Sequence, residues 1–178
     1  NEQPDDEDAI EPEMVVVHAR EMFPSFTNGC GTLTITELAS TKPNLQTLEF
    51  VKVGQTSAQF MLIMPPGWVG GSFQFRVYWS HSTGGSTFGT AWRLRAHSVT
   101  DGETMSEAFS GSMLVTDTGG TADDLYISPE SDPVQISGTQ AKAGDLVMCE
   151  ISRIVTDDGD TLNIPARLHA IRFNVGDA

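Results

Sequence analysis

The side chains able to do chemistry are scattered along this 178-residue chain. Gly84-Gly85-Ser86-Thr87-Phe88 starts like a nucleophile elbow, but that motif needs glycine where Phe88 stands, so the stretch reads as a hairpin loop. His18, His81, His97 and His169 lie on four segments with no two at ligand spacing, so a zinc site would have to be assembled by the fold. Three acidic loops invite calcium: Asp117 with Asp123 and Asp124, Asp157 with Asp158 and Asp160, and Glu130 with Asp132. None has the spacing of an EF-hand, and acidic turns without metal are the commoner case. No carboxylate pair stands out for glycoside hydrolysis. Cys30 and Cys149 are too few for a disulfide framework and read as independent thiols, Cys149 in the core and Cys30 in a turn. Catalysis, cofactor and metal are therefore not expected.

What remains is binding chemistry. Arg76, Tyr78, Arg93 and Arg95 combine cations with an aromatic, a composition that subunit interfaces favour, although a solvated sheet face has the same look. Trp68, Tyr78 and Trp92 would stack on a sugar if exposed. The formal charge of −14, from 24 acids against 10 bases, argues against direct contact with nucleic acid. No apolar run approaches the length of a membrane span, so a soluble protein is expected. Asn1 to Glu13 holds seven acids and no base. Such a run repels itself and lacks apolar content, so it reads as an arm, either solvated or docked on a partner's basic groove through Asp5, Asp6, Glu7 and Asp8. Val15, Val16 and Val17 would add an edge strand to that partner.

The elements that must position these residues are strands. From Phe73 the side chains alternate: Phe73, Phe75, Val77 and Trp79 on one face, Gln74, Arg76, Tyr78 and Ser80 on the other. After the glycine-rich loop, Trp92, Leu94 and Ala96 oppose Ala91, Arg93, Arg95 and His97. The stretch 64–97 reads as a two-strand hairpin carrying all three tryptophans, with Trp79 and Phe75 in the core and Trp92 on a neighbouring or opposing strand. Further strands are expected at 14–17, 31–38 (Leu33 and Ile35 half-buried), 45–53, 58–64, 113–116, 124–127, 134–136, 145–154 and 161–175. Asp157 to Asp160 would turn a hairpin between the last two, and a helix of one or two turns is expected over 101–109. So many short strands predict an all-β fold, a two-sheet antiparallel sandwich of jelly-roll type, with residues 1–22 as an extended arm plus first strand and 23–178 as the domain.

The pattern MPxxWxxGxxxFxxYW from Met64 to Trp79 resembles the terminal β-domain of virion structural proteins of tailed bacteriophages. The same resemblance covers Ala108-Phe109, Val115 to Thr118, ADDLYISPES from Ala122 to Ser131, Ala143 to Val147, Asp160 to Leu162 leading into Ala166 to Leu168, and the chain end Asp177-Ala178. It spans roughly 23–178 and departs at the acidic start. It implies a non-enzymatic module on the virion exterior, made in the bacterial cytoplasm: a homotrimeric fibre, head-fibre or capsid-decoration part whose partners are its own copies and the major capsid or tail proteins. The rival reading is a tail-fibre adhesin that binds a host-surface glycan.

Overall fold

A computed structural model describes residues 14–68, 70–83, 87–109, 111–136 and 141–176. Twelve strands run in chain order: β1 (Met14–His18), β2 (Phe23–Pro24), β3 (Thr34–Glu37), β4 (Asn44–Phe50), β5 (Thr56–Ile63), β6 (Ser72–Ser80), β7 (Phe88–Val99), β8 (Ser112–Gly119), β9 (Tyr126–Ile127), β10 (Val134–Gln135), β11 (Leu146–Arg153) and β12 (Ala166–Asn174). A 3-10 turn at Ala19–Glu21 follows β1. The strands form a seven-stranded sheet, β10-β6-β12-β4-β3 with β1 beside β12 and β9 beside β6, and a five-stranded sheet, β2-β5-β11-β7-β8. Every pairing between these strands is antiparallel.

The order has a simple logic. β7 pairs with β8, β6 with β9 and β10, β5 with β11, and β4 with β12. This is one long hairpin rolled up, with successive rungs alternating between the two sheets: a jelly-roll sandwich, as expected. The alternating apolar residues of both sheets meet in the middle. Phe50 on β4 packs edge-on against Trp92 on β7 at 5.1 Å between ring centroids, and Phe60 on β5 meets Phe173 on β12 at 5.8 Å. Phe75, Trp79 and Trp92 are fully buried.

Five expectations need correction. The stretch 64–97 is not a hairpin, because β6 and β7 lie in different sheets. Alternation tells which face of a strand is buried but not which strand lies beside it, and two apolar faces bury as well across the core as side by side. For the same reason 157–160 is no hairpin turn; it lies in the crossing from β11 to β12. No helix forms over 101–109, where Gly102 takes φ +85 and starts a turn, since a helix so short has little stability alone. Leu33 and Ile35 are exposed, because β3 pairs with residues 44–47 of β4 while β12 supports only 48–50. Finally, a domain boundary after residue 22 cuts through the sandwich. β1 runs along β12 from Met14↔Asn174 to His18↔Ala170, and Val17, Ala19 and Met22 are core residues.

Candidate functional site

Two outer sheet faces carry the binding chemistry. On the five-stranded sheet the register sets outward side chains in rows: Phe23, Gln59, Glu150 and Arg95; then Met61, Met148 and His97; then Ile63, Leu146 and Val99. Exposure rises toward the β5 side, where Ile63 is 70% exposed and Phe26, in the loop after β2, is 108% exposed. Phe23, Phe26, Gln59, Phe109 and Glu150 line a cleft of about 580 Å³. Arg95 donates from Nε to Glu150 at 3.2 Å and also from Nη2, and its guanidinium lies 5.7 Å from the Phe109 ring centre. Phe109 thereby ties the β7–β8 connection to this face. Burial, then the neighbouring Arg95, lower the pKa of Arg93, against the pull of Glu150. Two guanidiniums thus crowd around one carboxylate, a local cationic surplus in an acidic chain.

On the seven-stranded sheet Arg76 and Arg172 face each other across β6 and β12 and share Glu130 at 3.7 and 3.8 Å. Met14 and Val16 lie exposed on one flank of this pair and Leu125 and Ile127 on the other. Further along, a hollow of about 320 Å³ is lined by His18, Tyr78, Ser80, Asp123, Leu125 and His169 among others. Ser80 Oγ and His169 Nε2 are 2.8 Å apart. Arg167 donates to Asp123 at 2.7 Å and sits 3.5 Å from Glu49.

The interface residues named from the sequence therefore divide. Arg76 and Tyr78 face outward from one sheet, Arg93 and Arg95 from the other, so they form no single surface. The sugar-stacking reading of Trp68 and Trp92 is overturned. Trp92 is fully buried, its Nε1 donating to Thr90 Oγ1 at 3.1 Å, and Trp68 is 5% exposed with Nε1 donating to the Ser72 carbonyl at 3.2 Å. Each indole found an apolar home for its rings and an internal acceptor for its N–H. Val15, Val16 and Val17 pair with Phe173, Arg172 and Ile171 of β12, so that edge of β1 is used within the chain and not by a partner. Asp5, Asp6, Glu7 and Asp8 lie outside the described residues, as do Gly84, Gly85 and Ser86. Both thiols are buried and free, and Cys30 sits beside the bridge between Gly29 and Ser57 rather than in an open turn. Burial pushes the Cys30 thiol up to about 12 and raises Cys149 as well. Among the described residues no three His, Cys, Asp or Glu side chains are grouped to hold a metal ion, and no helix is long and apolar enough to cross a membrane.

One charged residue went unnoticed in the sequence. Arg153, at the end of β11, is fully buried and donates to Asp160 from Nε and Nη2 at 2.8 Å each, to the carbonyls of Phe50 at 3.0 Å and Ile164 at 2.8 Å, and to the Leu162 carbonyl. Asp160 also accepts from Lys52 Nζ at 2.9 Å. Burial alone would raise the Asp160 carboxyl, but the Arg153 and Lys52 contacts outweigh it and hold it below its ordinary value. The signal was there: Val147, Cys149, Ile151 and Arg153 share the inward phase of one strand. This cluster fastens the strand ends together and belongs to the fold.

No protein-family model and no curated protein sequence matches the chain. Among solved structures it is similar to a Paenibacillus cycloisomaltooligosaccharide glucanotransferase complexed with cycloisomaltoheptaose, at 10% identity and TM-score 0.46 over 89% of this chain and 19% of that one. It is also similar to an insecticidal crystal protein, at 14% identity and TM-score 0.39 over 90% of this chain and 21% of that one. The chain spans about a fifth of the length of each.

Proposed function

We propose that this chain is a non-enzymatic structural module of a bacteriophage virion exterior, a homotrimeric fibre, head-fibre or decoration part built around the outer face of the five-stranded sheet. The observation that carries the assembly is the run of exposed apolar side chains on that face. Met61 and Ile63 stand together with half-buried Met148 and Leu146 beside them, and Phe23 and Phe26 lie on the other side of Gln59, against Glu150. Exposed apolar side chains gathered on one face of a protein of such high net charge are costly in water and mark a surface meant to be covered. The opposite sheet offers less, because its exposed apolar residues are split by the Arg76–Arg172 stripe. Geometry also separates the two faces. Joining opposite sides of a sandwich to one another stacks subunits in a line, whereas a closed ring needs contacts turned toward a common axis. The resemblance implies a trimer, so the occupants of the apolar face are two further copies of the chain, with Arg93 and Arg95 near the boundary and Arg76 and Tyr78 outside it.

The phage assignment is supported by the resemblance described above, and Met64, Trp68, Phe75 and Trp79, which carry its longest pattern, are buried residues of the roll. The acidic run through Asp5, Asp6, Glu7 and Asp8 anchors the module on a basic groove of a capsid or tail protein, a contact that weakens with salt. Light scattering of the full chain at micromolar concentration should report a trimer, and Phe26→Asp with Met61→Glu should give a monomer of unchanged melting temperature. A wild-type monomer sinks the assembly. Microscopy of intact particles that lack the chain on their exterior sinks the virion role.

A further inference from the structure

Assembly through the five-stranded face leaves the hollow on the opposite sheet open. Its volume of about 320 Å³ falls inside the range of roughly 300–1,000 Å³ typical of small-molecule sites. Separate segments bring polar groups to it: His18 from the end of β1, Tyr78 and Ser80 from β6, Asp123 from the β8–β9 connection and His169 from β12. Two of these positions are irregular. The register slips between the pairs Leu168↔Trp79 and Ala170↔Tyr78, so His169 is the extra residue of a bulge, set against Ser80 Oγ at 2.8 Å. A bulge gives up ladder pairing and recurs where it re-aims a side chain at a site. Asp123 takes φ +61, a left-handed conformation that an aspartate tolerates better than most residues. It is pinned there by its N–H to the His81 carbonyl at 2.8 Å and by Arg167 at 2.7 Å.

The chemistry of the lining selects a ligand class. Burial first, and then Arg167, lower the pKa of His169, so at neutral pH its imidazole is uncharged and offers one donor and one acceptor nitrogen. Arg167, which holds Asp123, is also shared with Glu49, and Arg20 lies by the smaller hollow that adjoins this one through His18 and His169. The lining itself holds the Asp123 carboxylate and no lysine or arginine, so a phosphate or carboxylate would meet a like charge there. A neutral sugar fits what remains: one face of C–H groups for the Tyr78 ring and Leu125, and hydroxyls, each donor and acceptor, for the Asp123 carboxylate, Ser80 and the histidines. The geometry points to a binding site for a neutral monosaccharide unit, such as an end or branch sugar of a surface polysaccharide, held between Tyr78 and Asp123.

The test is saturation-transfer NMR and calorimetry on the full chain, using the methyl glycosides of glucose, galactose, mannose and N-acetylglucosamine as probes. At least one should bind. Asp123→Asn, which keeps the size and tolerates the same backbone, should weaken it about tenfold or more by removing a charged acceptor. Tyr78→Ala should weaken it too, with melting temperature and oligomer size retained in both variants. No binding by any probe, binding unchanged in both variants, or a change of oligomer size in either overturns the site. The site stands apart from the trimer: an intact trimer that binds no probe refutes the sugar site alone, and a monomer that binds refutes the assembly alone.

Discussion

Replacing Arg153 by methionine should destabilise this protein more than any surface change, and the structure sets the size of the effect. The guanidinium is fully buried and makes five hydrogen bonds, two to Asp160 and one each to the carbonyls of Phe50, Ile164 and Leu162. Removing one member of a buried ion pair costs about 3–5 kcal/mol, because the partner's charge stays behind without its counter-ion. Lys52, at 2.9 Å from Asp160 and partly solvent-exposed, moderates that loss, while three stranded carbonyls add to it. A net cost of about 4 kcal/mol follows, and at about 2–4 °C per kcal/mol for a domain of this size the melting temperature should fall by about 8–16 °C. Asp160→Asn should cost a similar amount, since it leaves Arg153 charged and buried. The double variant should be less damaged than the sum of the two, by at least about 1 kcal/mol, because both charges leave together. Thermal and urea melts followed by circular dichroism measure all three. A methionine variant melting within about 2 °C of the parent, or strict additivity in the double variant, would refute the reasoning.

The pH dependence has a definite sign. Asp160 has a folded pKa below its unfolded value of about 3.9, so its contribution is complete above that value and is lost as pH falls through the folded one; urea midpoints from pH 6 to pH 2 should drop more steeply for the parent than for Asp160→Asn. Trp79→Ala should cost about 3–5 kcal/mol, because the fully buried indole also donates to Asp117 at 2.8 Å; a melt within a degree or two of the parent would contradict its place in the core. Deleting residues 1–13 should leave the melting temperature unchanged but abolish incorporation into particles, whereas deleting 1–22 should cost at least about 4 kcal/mol by removing β1 with the core side chains of Val17 and Met22. Equal melting temperatures for the two truncations would show that β1 is dispensable.

Much of the fold was legible because a strand declares its buried face every second residue. That sufficed to place Phe75 and Trp79 inside and to put enough strands in one chain for a sandwich. It did not suffice for partnership. Nothing in the alternation of β6 and β7 says that a connection carries the chain across the core rather than back alongside, and reading a hairpin there also merged Arg76 and Tyr78 with Arg93 and Arg95 into one false surface. Arg153 escapes notice because the apolar residues of its strand end at Ile151, though the inward phase continues two residues further. The hollow at Tyr78 was out of reach for another reason. Ser80 and His169 are 89 residues apart, and they meet through a bulge that no local composition announces.

The rolled hairpin closes on its own last segment, and this bears on how the chain can be made. β12 is not an edge strand: it lies against β6 on one side and against β4 and β1 on the other. It is also the last of the twelve strands in chain order and so the last of them to be synthesised. Until then the edges of β1, β4 and β6 that will receive it are open, and open edges are templates for pairing with other nascent chains. Nearly all of the sheet contacts are between segments far apart in sequence, which slows folding further. The sandwich therefore cannot assemble progressively during synthesis. It must wait as an incomplete sheet until β12 has emerged, so a chain ending before residue 166 should aggregate rather than yield a smaller stable domain.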